Sequence, residues 1–482
     1  MKMLTPLIVD FDGTLIFTDS LIESAILLIK KNPIYFFFML FWLKKGKAHL
    51  KAEIAARTSL DIETLPYNTH FIEWLKTEKE KGRKIYLATA AHKTIAVEVT
   101  KYLNIFDGFF ASERDCNLKG GTKCTLIKEK IGDSFVYAGD SKADLPIWLE
   151  AEAAVLVNVP PALANQVRKE VGVEAEFPRE KIGIKTWARA LRVHQWVKNI
   201  LLFVPLLTAF EFMDIFKVCS VSIAFLAYSF VASGTYILND IWDLKADRIH
   251  TRKRHRPFAS GEIPIINGLL MVGVLFILAL IIAMSISTAF VIILFAYFIL
   301  TSVYSLFLKQ HALVDIITLS LLYTLRIVAG VIVIKVSISS WLLAFSMFLF
   351  LSLALIKRCG ELVSLENIEQ KKAISGRDYT PSDLVVLWPL GVGASLSAIV
   401  IFGLFISAPE TQQRYASPEL LWCSAIGIMY WLGRMWIKTS RGEMHDDPIV
   451  YVIKDKVSYV LLLSTIIITV IAYFYTFSFP LN

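Results

Sequence analysis

Cysteine is scarce, and the little there is has no pattern. Cys116, Cys124, Cys219, Cys359 and Cys423 show neither the short intervals of a metal site nor a disulfide framework, and they fit free thiols. No secretory leader is expected from the opening residues: "MKMLTPLIVDFDGTL" reads as a short buried strand, not a charged n-region followed by an apolar one. Charge is also thin, at 19% of 482 residues. The net charge of +8 gathers in particular loops, so it is not the footprint of a nucleic-acid-binding surface.

What is abundant is apolar. The apolar fraction of 55% exceeds that of ordinary soluble domains. Residues 1–185 mix charged and apolar positions, whereas from Asn199 onward apolar runs of membrane-spanning length dominate. The expectation is a soluble α/β domain over 1–180, with a helical cap at about 20–80, followed by an all-α polytopic membrane domain over 181–482. Nine spans are expected, at about 199–213, 216–238, 264–286, 289–307, 312–334, 339–357, 382–406, 417–437 and 457–477.

Loops after the even-numbered spans hold sixteen Lys and Arg, among them Lys371, Lys372, Lys454 and Lys456, against three in the alternate loops. That asymmetry predicts a multi-pass protein of the plasma (inner) membrane, with the charged loops and the N-terminal domain on the cytoplasmic side. The N-terminal stretch "NPIYFFFMLFWLKK" is too short to span and too oily for a solvated helix. It is either a core helix of the cap or a segment that dips into the membrane.

Within 1–180 the acids sit at strand ends. "LIVDFDGTL" is a buried strand that places Asp10 and Asp12 on one side of its C-terminal edge, with Gly13 allowing close backbone approach to a phosphate. "KIYLATAAH" delivers Thr89, "GGTKCTLIKEKIG" delivers Lys123 at a helix start, and "FVYAGDSKADLPIW" delivers Asp140 and Asp144. This order resembles the haloacid dehalogenase superfamily over about residues 5–160. The resemblance implies a Rossmann-like phosphatase in which Asp10 is the nucleophile, Asp12 the general acid/base, and Thr89 and Lys123 hold the phosphoryl oxygens, with Lys119 a weaker candidate. It further implies Mg²⁺ held by Asp10, Asp140 and the backbone of Asp12 and supported by Asp144. The alternative is a regulatory domain that kept the fold without the chemistry.

The second constellation is "YILNDIWDLKADRIHTRKRHRPFASG". Asp240, Asp243 and Asp247 stand at i, i+3 and i+7, on one face of a continuous helix. Clustered carboxylates at a membrane boundary need a compensating cation, and a divalent metal bridging a diphosphate supplies one. Arg252, Lys253 and Arg256 follow as phosphate ligands.

These residues resemble the UbiA superfamily of intramembrane prenyltransferases, whose first motif, N-D-x-x-D-x-x-x-D, is complete here at Asn239, Asp240, Asp243 and Asp247. The family's second acidic motif is not: "VDIITLSLLYTLRIVAG" offers Asp315 alone. Asp315 and Arg326, about three helical turns apart on one face, are expected to pair or to share a ligand.

"LRVHQWVKN", "IKRCGEL" and "GEMHDDPIVYVIKDK" look like the decaprenyl-phosphate phosphoribosyltransferase branch. That resemblance implies 5-phosphoribosyl diphosphate as donor, a polyprenyl phosphate as acceptor, Mg²⁺ on the three aspartates, and a lipid-linked pentose of the kind used in cell-wall biosynthesis. Lys198, Lys309, Lys357 and Arg358 join the basic residues above as candidate phosphate contacts. Glu361 would orient Lys357 or form a plain surface pair with it, and Tyr304 would touch the donor or simply pack. The competing expectations are conventional prenyl transfer to an aromatic or other small acceptor and, last, a transporter or lipid-binding scaffold. Oligomeric state is left open.

Overall fold

The computed structural model describes residues 4–113, 117–179, 181–337, 339–366, 377–444, 448, 451–452 and 455–476. Cys116, Lys371, Lys372, Lys454 and part of "GEMHDDPIVYVIKDK" lie outside the described residues. The chain forms two compact units. One comprises Met1–Leu191 with Tyr236–Val272, and the other Arg192–Thr235 with Gly273–Asn482.

The first unit is built on a six-stranded, wholly parallel sheet of order β3-β2-β1-β4-β5-β6. Its strands are β1 Leu7–Val9, β2 Ile85–His92, β3 Gly108–Ser112, β4 Val136–Gly139, β5 Ala153–Val157 and β6 Val173–Phe177. Strand side chains alternate, so the central β1 feeds two cores. Leu7 and Val9 join Leu87, Val155 and Phe71 on one face. Ile8 joins Ala88, Tyr137, Leu156 and Trp148 on the other. All three β1 residues are fully buried, each contributing about 1.5–3 kcal/mol of burial. Cover on both faces explains why these strands read as continuous apolar runs.

Between β1 and β2 come four helices, α1 Ser20–Lys31, α2 Tyr35–Lys44, α3 Lys47–Ala55 and α4 Thr69–Glu80. Asp19 caps α1, its carboxylate accepting from the amides of Leu21 and Ile22, and Asn68 caps α4 through Phe71 N. The first three helices close on a small core of their own, Leu28, Trp42 and Ile54. α4 belongs to the sheet, because Phe71, Ile72 and Leu75 pack with β1 and β2.

The segment 236–272 completes this unit. Arg248 makes a buried two-pronged ion pair with Glu23 of α1 (2.8 and 2.6 Å) and donates to Ala259 O. Lys245 meets Asp61 at 2.9 Å. Gly261 has φ +77, and a Cβ there would fall 2.5 Å from that of Phe17.

Among the described residues, eight helices are long and apolar enough to cross a membrane: Ile215–Trp242, Ile265–Ile286, Thr288–Leu306, Val314–Ile334, Ser340–Ser364, Pro381–Ser407, Pro418–Ser440 and Lys456–Phe474. The chain is a multi-pass membrane protein. The expected ninth span, 199–213, is instead a 3-10 helix, Val193–Phe203, followed by the short helix Val204–Thr208. Pro205 has no amide to donate, so it fits the first turn of the short helix.

In the second unit the helices from Val314 to Ser440 share a core including Ile316, Leu355, Leu387 and Trp436. Trp436 Nε1 donates to Ser395 Oγ (2.9 Å) and Ser352 Oγ (3.2 Å). Small residues on neighbouring helices admit that indole, as is usual where membrane helices approach closely.

Candidate functional site

The parallel strands β1 and β4 end at the same edge, and they carry the acids there. Asp10 N donates to Ala138 O, which holds the end of β1 against β4. Asp10, Asp140 and Asp144 each present an oxygen within 4.8 Å of the others, the one such grouping of three metal-ligating side chains among the described residues. Lys123 Nζ lies 3.0 Å from Asp10 Oδ2 and 3.0 Å from Tyr137 Oη. Tyr137 Oη donates in turn to Asp144 Oδ1 (2.8 Å), while Asp144 Oδ2 accepts from Ser141 N and Oγ, both at 3.0 Å. Asp12 accepts from Ser20 N at 2.7 Å.

The backbone is shaped to the acids. Gly13 has φ +76, and a Cβ there would collide with the Asp140 carboxylate. One on Gly139 would stand 2.8 Å from Asp144 Cγ.

Burial pushes Asp10 up to about 6, with the Asp144 charge adding to the effect and Lys123 opposing it. Asp12 is pushed up to about 7, mainly by burial and then by Asp19. Asp140 reaches about 8 through burial and then repulsion from Asp10 and Asp144. Asp10 and Asp140, which hold their protons this firmly, crowd with Asp144 into a donor set that a hard divalent cation would relieve, so the residues fit Mg²⁺.

These acids open into a cavity of about 520 Å³ whose wall also carries Lys47, Lys51, Lys119, Asn117 and Arg179. Lys51 donates to Ala90 O (2.6 Å) and Asn117 Oδ1 (2.9 Å), and burial lowers its pKa. Sequence reasoning missed Lys51, Arg179 and Tyr137. The first two follow no strand-end pattern, whereas Tyr137, three residues before Asp140 on its own strand, was legible. Thr89 is fully buried, its hydroxyl accepting from Ala91 N (2.9 Å), and the cavity wall on this strand runs from Ala90 to His92.

The acids of the second constellation are arranged differently from the expected continuous helix. The long helix stops at Trp242 and a new one, Leu244–Ile249, starts after Asp243. Asp240 and Asp247 are nonetheless buried together, bridged by Arg256 Nη1 at 3.1 and 2.6 Å. Asp243 has Lys30 Nζ at 3.8 Å. Arg256 therefore balances the charge of Asp240 and Asp247. Asn239 precedes them on the helix, half-buried, and Arg252 and Lys253 are exposed.

In the second unit the expected partnership of Asp315 with Arg326 gives way to two separate networks. Asp315 is fully buried, accepts from Tyr304 Oη (2.8 Å) and pairs with Arg358. Arg358 also pairs with Glu361, which Arg377 reaches at 3.0 Å, so Glu361 serves these arginines. Arg326 donates to Asn199 Oδ1 (2.9 Å), Leu322 O (2.5 Å) and Tyr297 Oη (3.2 Å). Its guanidinium stacks within 6 Å of Tyr228, Tyr297 and Tyr323. Eleven residues of an α-helix leave Asp315 and Arg326 about 16 Å apart along the axis, so each satisfies its charge locally.

Lys198 is buried with its ammonium over Tyr323. Lys309 and Lys357 are half-buried. The same unit contains a cavity of about 510 Å³ lined by apolar side chains including Leu201, Phe345, Phe350, Phe402 and Trp431.

Residues 200–454 match the UbiA prenyltransferase family. The chain belongs to this family, and so to a class of membrane transferases. It is 39% identical over 94% of its length to an uncharacterized protein, y4nM, of Sinorhizobium fredii, covering 88% of that protein. It is also 34% identical to the nodulation protein NoeC of Azorhizobium caulinodans, over 59% of this chain and 92% of NoeC. A decaprenyl-phosphate phosphoribosyltransferase of Mycolicibacterium smegmatis is 31% identical over 45% of this chain and 69% of its own.

Proposed function

We propose that this UbiA-family transferase moves 5-phosphoribosyl from phosphoribosyl diphosphate to a polyprenyl phosphate. A haloacid dehalogenase-like N-terminal domain would then hydrolyse the 5-phosphate of the lipid product. The observation that carries the transferase half is the state of Asp315. A carboxylate paired with a fully buried Arg358 and bonded to Tyr304 is committed to its neighbours and does not offer a second metal site for a prenyl diphosphate. The likeness to decaprenyl-phosphate phosphoribosyltransferases supports the same donor.

In the transfer, a lipid phosphate oxygen attacks ribose C1, a C1–O bond forms, and the bond to the departing pyrophosphate breaks. Asp240, Asp243 and Asp247 would hold Mg²⁺, which when bound neutralises the leaving pyrophosphate. Arg256 would exchange its carboxylate partners for a phosphate, which it can bind bidentately, beside Arg252 and Lys253. The apolar cavity of the second unit suits a polyprenyl tail.

In the hydrolysis, Asp10 attacks phosphorus and the ester oxygen leaves with a proton from Asp12, whose raised pKa keeps that proton available near neutrality. Water then cleaves the aspartyl-phosphate. Lys123 would hold phosphoryl oxygens, and a Mg²⁺ bound by Asp10 and Asp140 would shield their charge. The loop asymmetry argues for a cytoplasmic N-terminal domain, which protease protection in sealed vesicles would test.

Mass spectrometry of the lipid made from labelled phosphoribosyl diphosphate and polyprenyl phosphate tests both halves. The expected product is a lipid-linked pentose, with the phosphorylated lipid accumulating in Asp10→Asn and no pyrophosphate released by Asp240→Ala. A dephosphorylated product in Asp10→Asn refutes the coupling. Family membership also favours a second reading, prenyl transfer from a prenyl diphosphate to a small acceptor. Release of pyrophosphate from a prenyl diphosphate, and none from the ribosyl donor, would establish that reading.

A further inference from the structure

α2, Tyr35–Lys44, has the sequence YFFFMLFWLK, apolar on every face. A helix of that kind normally disappears into a protein core or into lipid. Here the protein does not cover it: of its ten residues Trp42 alone is buried. Phe37 is 70% and Phe41 56% exposed, and Phe36, Phe38 and Leu40 are each about half exposed. Ten residues rise about 15 Å, half of what a bilayer core requires, so α2 cannot span. Exposed lysines flank it, Lys31 on one side and Lys44 and Lys45 on the other, and Lys45 folds over Phe41 at 5.1 Å. Such flanks suit anionic headgroups above an inserted apolar body.

A second observation ties this surface to the acids. The wall of the 520 Å³ cavity that holds Asp10, Asp12 and Asp140 includes Leu43 of α2. It also includes Pro264, Ile265 and Ile266, where the membrane-crossing helix Ile265–Ile286 begins. One stretch of the cavity wall is therefore the start of a helix long and apolar enough to cross a bilayer, and Leu43 of α2, the helix with the exposed phenylalanines, belongs to the same wall.

We propose that α2 lies in the bilayer interface as a non-spanning anchor and that the cavity takes a phosphomonoester borne by a membrane lipid. The proposal deepens the phosphatase reading above, and its substrate half rests on it. Hydrolysis breaks the phosphate ester bond with water as the other reactant, leaving a lipid alcohol in the membrane and releasing inorganic phosphate. The lysines on the cavity wall, Lys47, Lys51, Lys119 and Lys123, suit the phosphate end, while Leu43 and Ile266 suit the lipid stem.

The test uses the full chain in phosphatidylcholine vesicles with and without phosphatidylglycerol. With the five native cysteines replaced and Phe37→Cys carrying a fluorophore, a nitroxide attached to lipid is expected to quench the label. Quenching by aqueous iodide alone would overturn the placement, because the helix would then be solvated. Quenching by neither would overturn it too, by showing a protein cover such as a second copy.

In parallel, phosphatidic acid in the same vesicles and soluble p-nitrophenyl phosphate serve as paired substrates. Replacing Phe36, Phe37 and Phe38 by Ser is expected to lower phosphatidic acid hydrolysis about tenfold and to leave the soluble substrate unchanged. Equal hydrolysis of phosphatidic acid by both proteins would overturn the lipid-borne substrate. Hydrolysis of neither compound by the parent protein would instead remove the phosphatase reading and the substrate half with it, while the quenching result still decides where α2 lies.

Discussion

In the proposed reactions single carboxylates carry most of the chemistry, and their protons would give it a pH signature. Asp10, Asp12 and Asp140 hold protons to about 6, 7 and 8 in the fold, against an ordinary value of 3.8. The folded state therefore binds more protons than the unfolded chain across that window. Without a divalent cation, stability of the N-terminal unit should be greatest below the ordinary value and fall as pH rises through these three. Mg²⁺ favours the deprotonated forms, so its stabilising effect should be larger at high pH than at low. Pulse proteolysis of the full chain with EDTA or Mg²⁺ measures this, and an Mg²⁺ effect independent of pH would contradict it. Gly13→Ala is expected to destabilise by more than about 1 kcal/mol, because its positive φ and the Asp140 carboxylate both exclude a Cβ. It should also weaken Mg²⁺ protection, read in the same assay. Gly172→Ala, where a Cβ would meet nothing within 4 Å, is the control.

Among the elements, α1 has a role that its amphipathic pattern does not announce. It presents Glu23 to Arg248 in a pair about 6–7% exposed, and Lys30 to Trp242 O at 3.0 Å. Both contacts fall on the segment that carries the acidic motif Asn239–Asp247. Removing one partner of a buried pair typically costs about 3–5 kcal/mol, because the other charge is left uncompensated. Glu23→Ala should therefore loosen residues 244–262, seen as faster hydrogen exchange there with strands β4 and β5 unaffected. The double replacement Glu23→Leu with Arg248→Met should recover much of that protection, since neither charge then remains buried. In the second unit the pair of Asp315 and Arg358 predicts the same asymmetry. Arg358→Leu alone should lower the melting temperature in detergent, and adding Asp315→Leu should restore part of it.

At the scale of the whole molecule, the α/β layer and the apolar helices were legible because each rests on a local pattern. The strand ends at Asp10 and Asp140 could be read from alternation and flanking turns, and the spans from unbroken apolar runs. The 199–213 span misled because an apolar run of that composition serves equally for a 3-10 helix followed by a short α-helix. The full-length likeness to y4nM shows that both parts of this chain occur together elsewhere. That is the setting in which Asp240→Ala should abolish transfer while leaving phosphomonoester hydrolysis intact. Which side chains stand at motif spacing is written in the chain: four acids in the N-terminal domain, three in the membrane motif, and a lone Asp315. Their partners come from the packing. It gave Asp315 to Arg358 and Arg326 to Asn199 and a ring of tyrosines, and it laid Arg256 across Asp240 and Asp247. Buried charges take whichever counter-charge or polar acceptor the packing brings within a few ångströms, and that is settled by how the elements meet.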